Sequence, residues 1–313
     1  MRLWYLKLAA AAALLLLFGP AACGTSPEMA RMELSRMNVI YDQDSFVQKA
    51  KEGDVQAVEY FLVAGMDPNL TDKQGNTALI EASKEGHKEM INLLLAQGVD
   101  INGKDRTFAA TPLIWAALAG RTDVVALLLD NGADLNAREN KNGLSALLAA
   151  AVKGHTETVG LLLERGAPIE FRDHDGRTAL MWAANGGRVD TVGFLLDKGA
   201  NLDAVEREKG LTAFMAAAMM GHTETAGLLL DRGADIEKRD RDGKTGLMWA
   251  ALYGRLGTVE LLLKRGARVN VRDKTGNDAL FWAKRSKARR ETRKQLIKIL
   301  LEAGAVAEQE KGS

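Results

Sequence analysis

Cysteine is almost absent from this chain of 313 residues: it occurs once, so no intramolecular disulfide framework can exist. Proline occurs 5 times, and aromatic residues make up only 5% of the chain. Net charge is also nearly absent, at +1, which gives no global bias towards nucleic acid. The sequence contains no Gly-rich phosphate loop, cysteine cluster or paired catalytic carboxylates. These absences disfavour an enzyme and predict that the chain needs no cofactor or metal.

The N-terminus carries the pattern of an export signal. Arg2 and Lys7 form a positive segment, and Leu8 to Phe18 is an apolar stretch of 11 residues. A bilayer core of about 30 Å needs a longer helix, so this stretch is too short to be a membrane span. We therefore expect residues 1–22 to be a signal peptide that is removed on export.

The single cysteine follows this signal directly. Pro20, Ala21 and Ala22 precede Cys23, and Gly24 follows it. The stretch resembles the bacterial lipobox, with proline where leucine is usual. That resemblance implies cleavage before Cys23, lipidation of Cys23 and a lipid bilayer as one partner. In an envelope with two membranes, Gly24 favours the outer membrane, facing the periplasm. The alternative is an ordinary cleaved signal followed by a chance cysteine.

Residues 23–43 are predicted to be the lipidated cysteine and a tether. Thr25, Ser26 and Pro27 are typical of a linker, and a short helix is predicted from Glu28 to Asn38. Fully extended, the 20 residues after Cys23 reach at most about 65–70 Å. The tether would thus hold a folded domain away from a membrane surface.

The rest of the chain is a repeat of 33 or 34 residues. A hydroxyl or carboxylate residue opens each unit, and a glycine closes it 21 residues later in all but the last unit. The opening residues are Thr77, Thr111, Ser145, Thr178, Thr212, Thr245 and Asp278. A degenerate first unit from Asp44 to Gly75 makes eight units in all. The opening residue is a good helix N-cap, and glycine ends helices by permitting positive φ. Each unit therefore predicts two short helices that must stack on neighbouring units.

The segment TALIEASKEGHKEMINLLLAQGVDIN resembles the ankyrin repeat. The resemblance covers residues 44–304, with residues 305–313 left as a C-terminal tail. It implies an all-α ankyrin-repeat solenoid of about eight helix-turn-helix units with β-turn or hairpin loops. The family's histidine is replaced by apolar residues such as Ile80, Met181 and Phe281. The final unit has about five extra residues before Gly304, which leaves its helix boundaries open.

A second period of 67 residues lies over the first. Residues 144–176 match residues 211–243 at 23 of 33 positions, which indicates duplication of a two-repeat block. One helix position consequently alternates between tryptophan and alanine. It reads Trp115, Ala149, Trp182, Ala216, Trp249 and then Trp282. Duplication alone preserves any residue, so the period by itself is no evidence of function.

The tryptophans share a helix face with other residues three or four positions on. By the ankyrin resemblance, this face is the concave surface that binds partners, and alternating Trp and Ala would give it ridges and hollows. The candidate protein-binding residues are Trp115, Leu118, Trp182, Asn185, Met219, Met220, Trp249, Leu252 and Tyr253. Gly186 is expected to leave room beside Trp182 for a partner side chain. In the alternative interpretation each Trp fills space over a neighbouring Ala, and a partner binds the turn tips around Arg172, Arg239 and Arg272.

Other polar residues carry weaker signals. His87, His155 and His222 recur at one repeat position, which predicts a structural role rather than a metal site. The basic segment 284–294 is expected to be a solvated cap, or else to touch anionic lipid or an acidic partner. We therefore expect a monomeric, non-catalytic binding module in the cell envelope, acting as a scaffold or adaptor for a protein partner. The alternative function is an inhibitor or immunity protein that covers a toxin or enzyme.

Overall fold

The computed structural model describes residues 24–305, and the fold in this range is all-helical. Seventeen helices are described, which form eight pairs preceded by one N-terminal helix. None of these helices is both long enough and apolar enough to cross a bilayer. The chain's contacts divide it into two compact units, residues 1–149 and 150–313.

The first unit contains the N-terminal helix and the first three helix pairs. Its helices are α1 (Pro27–Arg36), α2 (Gln43–Glu52), α3 (Val55–Val63), α4 (Ala78–Glu85), α5 (Lys88–Ala96), α6 (Pro112–Leu118), α7 (Thr122–Asp130) and the start of α8 (Ala146–Lys153). The first helix of each pair packs on the first helix of the next pair, as α2 does on α4 and α4 on α6. The first helices therefore form one layer and the second helices another.

The second unit has the same internal arrangement. Its helices are the end of α8, then α9 (Thr156–Glu164), α10 (Ala179–Asn185), α11 (Val189–Asp197), α12 (Ala213–Met220), α13 (Thr223–Asp231), α14 (Gly246–Leu252), α15 (Leu256–Lys264), α16 (Ala279–Lys284) and α17 (Arg290–Glu302). Here α10, α12, α14 and α16 pack in sequence as the first layer, and α9, α11, α13, α15 and α17 as the second. The predicted ankyrin-type pairing of two helices per repeat is confirmed.

The first helices begin where the hydroxyl pattern predicts. The side chains of Thr77, Thr111, Thr178, Thr212 and Thr245 each accept a hydrogen bond from the backbone N–H three residues on, as does Asp278. Ser145 is the exception, because its Oγ is buried without a hydrogen-bond partner. Small residues fill the layer of first helices, where Ala183 and Ala184 are fully buried. This lets neighbouring helices approach closely.

The loops between pairs are turns. Within residues 24–305 a single antiparallel bridge, between Thr71 and Thr77, is the nearest approach to the expected hairpins. A typical turn is closed at Asp173, whose N–H donates to Arg177 O at 3.1 Å and whose carbonyl accepts from Gly176 N–H at 3.1 Å. The expected β-turn loops are thus present, and no strand is found within residues 24–305.

The short helix predicted from Glu28 to Asn38 is present as α1, but it packs on the repeats and is not part of an extended tether. Helix α1 packs on α3 and buries Ala30 and Leu34 completely. Arg31 Nη2 and the Tyr41 hydroxyl both donate to the carbonyl of Ala64, at 3.3 and 2.9 Å. Residues 27–41 therefore cap the first helix pair. Burial of Ala30 and Leu34 removes apolar surface from water, which stabilises the packed position of α1.

The last pair contains the extra residues. Its second helix, α17, has 13 residues, whereas the second helices of the other pairs have 9. The basic segment 284–294 forms the link between α16 and α17 together with the first turn of α17. In this link Lys287 N–H donates to Leu252 O at 3.3 Å, and the Arg285 guanidinium lies 3.7 Å from the centre of the Phe281 ring. Part of the basic segment is thus held against the preceding repeat.

Candidate protein-binding surface

Each tryptophan of the first-helix layer is tied to the turn that precedes its helix. The indole Nε1 donates to one carboxylate oxygen of an aspartate nine or ten residues earlier, at 2.8–2.9 Å. The pairs are Trp115 with Asp105, Trp182 with Asp173, Trp249 with Asp240 and Trp282 with Asp273. Buried indole N–H groups need such a partner, so this bond fixes the ring against its own turn.

The aspartates are held in place by the turns themselves. Asp173 is 2% exposed, and its second carboxylate oxygen accepts from Arg177 N–H at 2.7 Å. At Asp273, burial acts to raise the pKa, but hydrogen bonds from Thr275, Asn277 and Trp282 outweigh it and hold the pKa below its ordinary value. The turn and the tryptophan therefore form one connected unit, and the lowered pKa of Asp273 keeps that carboxylate charged at neutral pH.

In the repeats that have alanine at the tryptophan position, a different hydrogen-bond network holds the preceding turn. Glu206 replaces aspartate in a longer loop, and its carboxylate accepts from the backbone N–H groups of Glu208, Lys209 and Leu211 at 2.6–3.1 Å. Burial acts to raise the Glu206 pKa, but these bonds outweigh it and lower the pKa. Backbone N–H groups thus donate to both carboxylate oxygens of Glu206, so this carboxylate needs no hydrogen bond from an indole. Ala216 occupies the position at which other repeats have tryptophan.

Glu139 and Ala149 repeat this arrangement in the first unit. The Glu139 carboxylate accepts from the N–H groups of Lys141, Asn142 and Leu144 at 2.6–3.1 Å. Every tryptophan of this layer is thus paired with an aspartate, and both alanines are paired with a glutamate; the repeat of Asp72 has Glu81 at the same helix position. That correlation is readable from the sequence, and it is the signal that the sequence analysis missed.

A hollow of about 170 Å³ opens over Ala149 in the first unit. Its walls are mostly apolar and are formed by Phe108, Ala110, Ile114, Trp115, Leu118 and Leu144, with Glu139, Lys141 and Asn142 at the loop. The Trp115 ring is half-buried, with Phe108 edge-on at 6.0 Å and the Lys84 ammonium 4.2 Å from its centre. Trp115 and Leu118 therefore line the same hollow, and their role in binding a partner stays a prediction.

A second hollow, of about 310 Å³, opens over Ala216 in the second unit. Four of the predicted residues line it, namely Trp182, Asn185, Met219 and Tyr253. The Arg177 guanidinium lies 5.1 Å from the centre of the Trp182 ring, and Lys209 lines the loop side. The expected alternation of ridge and hollow is thus present at both alanine positions.

Trp249, Met220 and Leu252 do not line these two hollows. Trp249 is only 5% exposed, because Tyr253 lies against its ring at 6.1 Å and the ammonium groups of Lys209 and Lys244 cover it at 5.7 and 5.5 Å. The expectation that Trp249 offers a surface to a partner is therefore wrong. Met220 is 38% exposed, and Leu252 is half-buried.

The expected space beside Gly186 is also missing. A Cβ at this position would lie 2.7 Å from the carbonyl oxygen of Val152 and 3.2 Å from Arg188 Nε. The backbone of the preceding repeat thus occupies the position that a partner side chain was expected to enter. Gly186 is a point of close packing between repeats.

The histidines join neighbouring repeats. His87 Nε2 lies 2.9 Å from Lys51 O, and His222 Nε2 lies 3.0 Å from Asn185 O, each at the end of the preceding first helix. Arginine performs the same role between them, as Arg188 does with Val152 O at 3.1 Å. Gly187 must be glycine here, because its φ is +68° and a Cβ would lie 2.5 Å from His222 Nδ1.

The alternative site at the turn tips consists of arginines that hold turns together. Arg172 donates to the carbonyls of Gly176 and Val205 at 2.7 and 3.0 Å. Arg239 and Arg272 bond in the same way to the carbonyls of Gly243 and Gly276, at 3.0 and 2.9 Å. Much of their hydrogen-bonding capacity is therefore used within the fold. The predicted lipidation site, Cys23, lies outside the described residues.

Comparison with known proteins agrees with this geometry. A family model for ankyrin repeats matches residues 46–139, 137–206 and 203–273. The human ASB11 ankyrin repeat domain has a similar crystal structure, with a TM-score of 0.63 and 30% identity over 71% of this chain and 98% of that one.

Two curated proteins match over shorter segments. The putative ankyrin repeat protein YahD of Escherichia coli is 36% identical over 62 residues, which is 20% of this chain and 31% of that protein. Serine/threonine-protein kinase 12 of Arabidopsis thaliana is 35% identical over 63 residues, 20% of this chain and 14% of that one. The chain thus spans less than a third of either protein. The ankyrin repeat is a protein–protein interaction fold, and with three matches that together span residues 46–273 the chain belongs to the ankyrin-repeat family.

Proposed function

We propose that this chain is a non-catalytic scaffold or adaptor that is lipid-anchored to the bacterial cell envelope through Cys23 and binds a protein partner. The partner binds the surface of the first helices, at the two hollows over Ala149 and Ala216. The single observation that supports this site most is that the same local structure, a hollow over an alanine beside a glutamate-containing loop, occurs in both units. In each, a glutamate loop replaces the Asp–Trp pair and leaves a space beside the tryptophan of the preceding repeat. The walls of this space are mostly apolar over Ala149 and mixed apolar and polar over Ala216.

The hollows suit large apolar side chains of a partner. Their volumes, about 170 and 310 Å³, are in the range of one or a few side chains. Trp115 and Trp182 supply rigid, half-buried rings, and tryptophan is enriched among the residues that dominate binding energies. The carboxylates of Glu139 and Glu206 already accept hydrogen bonds from backbone N–H groups. Binding over Ala149 therefore rests mainly on apolar contacts, whereas over Ala216 polar groups such as Arg177 and Asn185 also face a partner.

The test is to fill a hollow without disturbing the fold. Ala216→Leu places a branched side chain in the larger hollow, and Met220→Leu changes an exposed residue outside it as a matched control. Both variants are expressed as full-length lipoproteins, crosslinked in the envelope and compared by mass for discrete crosslinked products. We expect Ala216→Leu to lose a product that the unmodified protein and Met220→Leu both retain. Equal crosslinking by all three proteins, with unchanged melting temperatures, would remove the hollow from the binding site.

A further inference from the structure

Exposed apolar side chains are concentrated at the N-terminal end of the described chain. Seven large apolar residues are more than one-third exposed in the described part, and four of them lie between residues 29 and 40. They are Met29, Met32, Met37 and Ile40, with exposed fractions of 55%, 57%, 36% and 71%. We call these four residues the N-terminal apolar patch. The other three, Val205, Met220 and Leu301, are far apart in sequence.

Folding of the array does not account for this patch. Helix α1 already buries its other face, through Ala30 and Leu34, against α3. Met29 and Met32 are three residues apart and share the opposite face. Tyr41 turns inwards, to Ala64 O and the Phe61 ring, while Ile40 beside it points to solvent. Helix α1 is thus a capping element with one face packed on protein and one apolar face left open.

The position of the patch in the chain indicates what covers it. Only residues 24–26 separate Cys23 from Pro27, the first residue of α1. Four Cα–Cα steps span at most about 14 Å, so a lipidated Cys23 would keep the start of α1 close to the bilayer surface. The same short link leaves little room for a bulky protein partner between α1 and the membrane.

The charges near the patch are balanced. Arg36 pairs with Glu33 at 2.5 Å, and the Arg31 guanidinium lies 4.8 Å from the centre of the Tyr41 ring. Helix α1 therefore carries no excess of positive charge that would select anionic headgroups. Flexible, unbranched methionine side chains adapt to an irregular apolar environment, which lipid provides.

We infer that the N-terminal apolar patch lies in the interface of the bilayer that holds the lipid of Cys23. This inference rests on the proposed lipid anchor. Met29, Met32 and Ile40 would reach the boundary between headgroups and acyl chains, as the apolar face of an interfacial helix does. The array is then fixed to the membrane at two places, the lipid and α1. It does not swing on a free tether.

The test uses the natural chemistry of the single cysteine. In the mature lipoprotein the lipid is attached to the sulfur of Cys23 and blocks it, so a new cysteine can be labelled alone with an environment-sensitive fluorophore. Met32→Cys and Ile40→Cys place the label in the patch. Gln48→Cys, an exposed polar position on α2, is the matched control. The labelled lipoproteins are reconstituted into vesicles of phosphatidylethanolamine and phosphatidylglycerol, with and without a lipid that carries a quencher on its acyl chain.

We expect the labels at 32 and 40 to shift to the blue in vesicles and to be quenched by the acyl-chain quencher, while the label at 48 is not. Unquenched labels at 32 and 40 on protein that still floats with the vesicles would overturn the inference and leave the lipid anchor intact. A blue shift that depends on protein concentration, without vesicles, would mean that a second copy covers the patch. Labelling of Cys23 itself, in protein that does not float, would overturn the anchor and the inference together.

Discussion

Trp182 Nε1 donates a hydrogen bond of 2.9 Å to Asp173 Oδ2, which joins the face of a first helix to the turn before it. This bond fixes the orientation of the indole ring, so the ring does not rotate into the neighbouring hollow and fill it. The ring is oriented by a buried carboxylate, and one side of it remains half-exposed beside the hollow over Ala216. The same residue thus serves both structure and the proposed binding.

The Asp–Trp pair should contribute measurably to stability. Asp173→Ala leaves the buried indole N–H and the Arg177 N–H without an acceptor, and hydrogen bonds to charged groups contribute about 1.5–3 kcal/mol each. We expect the free energy of unfolding to fall by about 2–4 kcal/mol in chemical denaturation.

Two controls test whether this loss comes from the pair. Asp175→Ala removes a half-exposed carboxylate that pairs with Arg177 at 3.0 Å, so its effect should stay below about 1 kcal/mol. A double-mutant cycle with Trp182→Phe should show a coupling of at least about 0.5 kcal/mol. Strict additivity of Asp173→Ala and Trp182→Phe would mean that the hydrogen bond contributes nothing to the fold.

Gly186, which follows the end of α10, and Gly193, within α11, should respond oppositely to substitution by alanine. A Cβ at Gly186 meets the Val152 carbonyl oxygen at 2.7 Å, so Gly186→Ala must push two repeats apart and should cost about 1–3 kcal/mol of stability. Gly193 lies inside α11, and a Cβ there meets only Leu228 at 3.8 Å and Arg232 at 4.0 Å. Gly193→Ala should therefore stabilise the fold by about 0.5–1 kcal/mol, because glycine is a poor helix former. Thermal unfolding of both variants measures the contrast, and equal effects would contradict the close contact at Gly186.

Acid should weaken the turns that hold Glu206 and Asp273. The pKa of each carboxyl is lowered in the folded protein, so each contributes stability that is present above its ordinary pKa. That contribution is lost as the pH falls below the ordinary values of 4.5 for Glu206 and 3.8 for Asp273, through their lower folded values.

Glu206→Gln isolates one of these contributions. The variant should be less stable at neutral pH by about 1–3 kcal/mol, since charge-assisted bonds from three backbone N–H groups are weakened. Its stability should also fall less steeply between pH 5 and the acid limit, as measured by denaturant unfolding at several pH values. A variant that follows the pH dependence of the unmodified protein would show that the Glu206 charge is not coupled to folding.

Cys23→Ser should release the protein from membranes. The prediction follows from the lipobox-like stretch, and the measurement is fractionation of cells that express each form. The mass of the variant must show that the signal has been removed, because an uncleaved signal would also retain the chain. If the processed Cys23→Ser protein stays wholly with membranes, Cys23 is not the anchor.

The sequence by itself determined the repeat, its register and the ends of most helices. Thr178 caps α10 and Gly187 follows its end because these preferences act over a few residues, and a period of 33 or 34 brings them back in every unit. The Asp–Trp pairs could also have been predicted from the sequence, since donor and acceptor are nine or ten residues apart in the same repeat.

Contacts between neighbouring repeats were decided only by the tertiary structure. The Val152 carbonyl fills the space at Gly186 from 34 positions earlier, and Lys209 covers Trp249 from 40 positions earlier, so no local pattern could have shown either contact. The end of the array was decided in the same way. The sequence predicted a short helix from Glu28 to Asn38 within a tether, but only the structure shows that this helix packs on α3, because the first repeat otherwise leaves its apolar face without a neighbour. The stacking of helices determines which apolar side chains are buried. It also determines which of them, such as Met32 and Trp182, stay at least partly exposed and can contact a membrane or a partner.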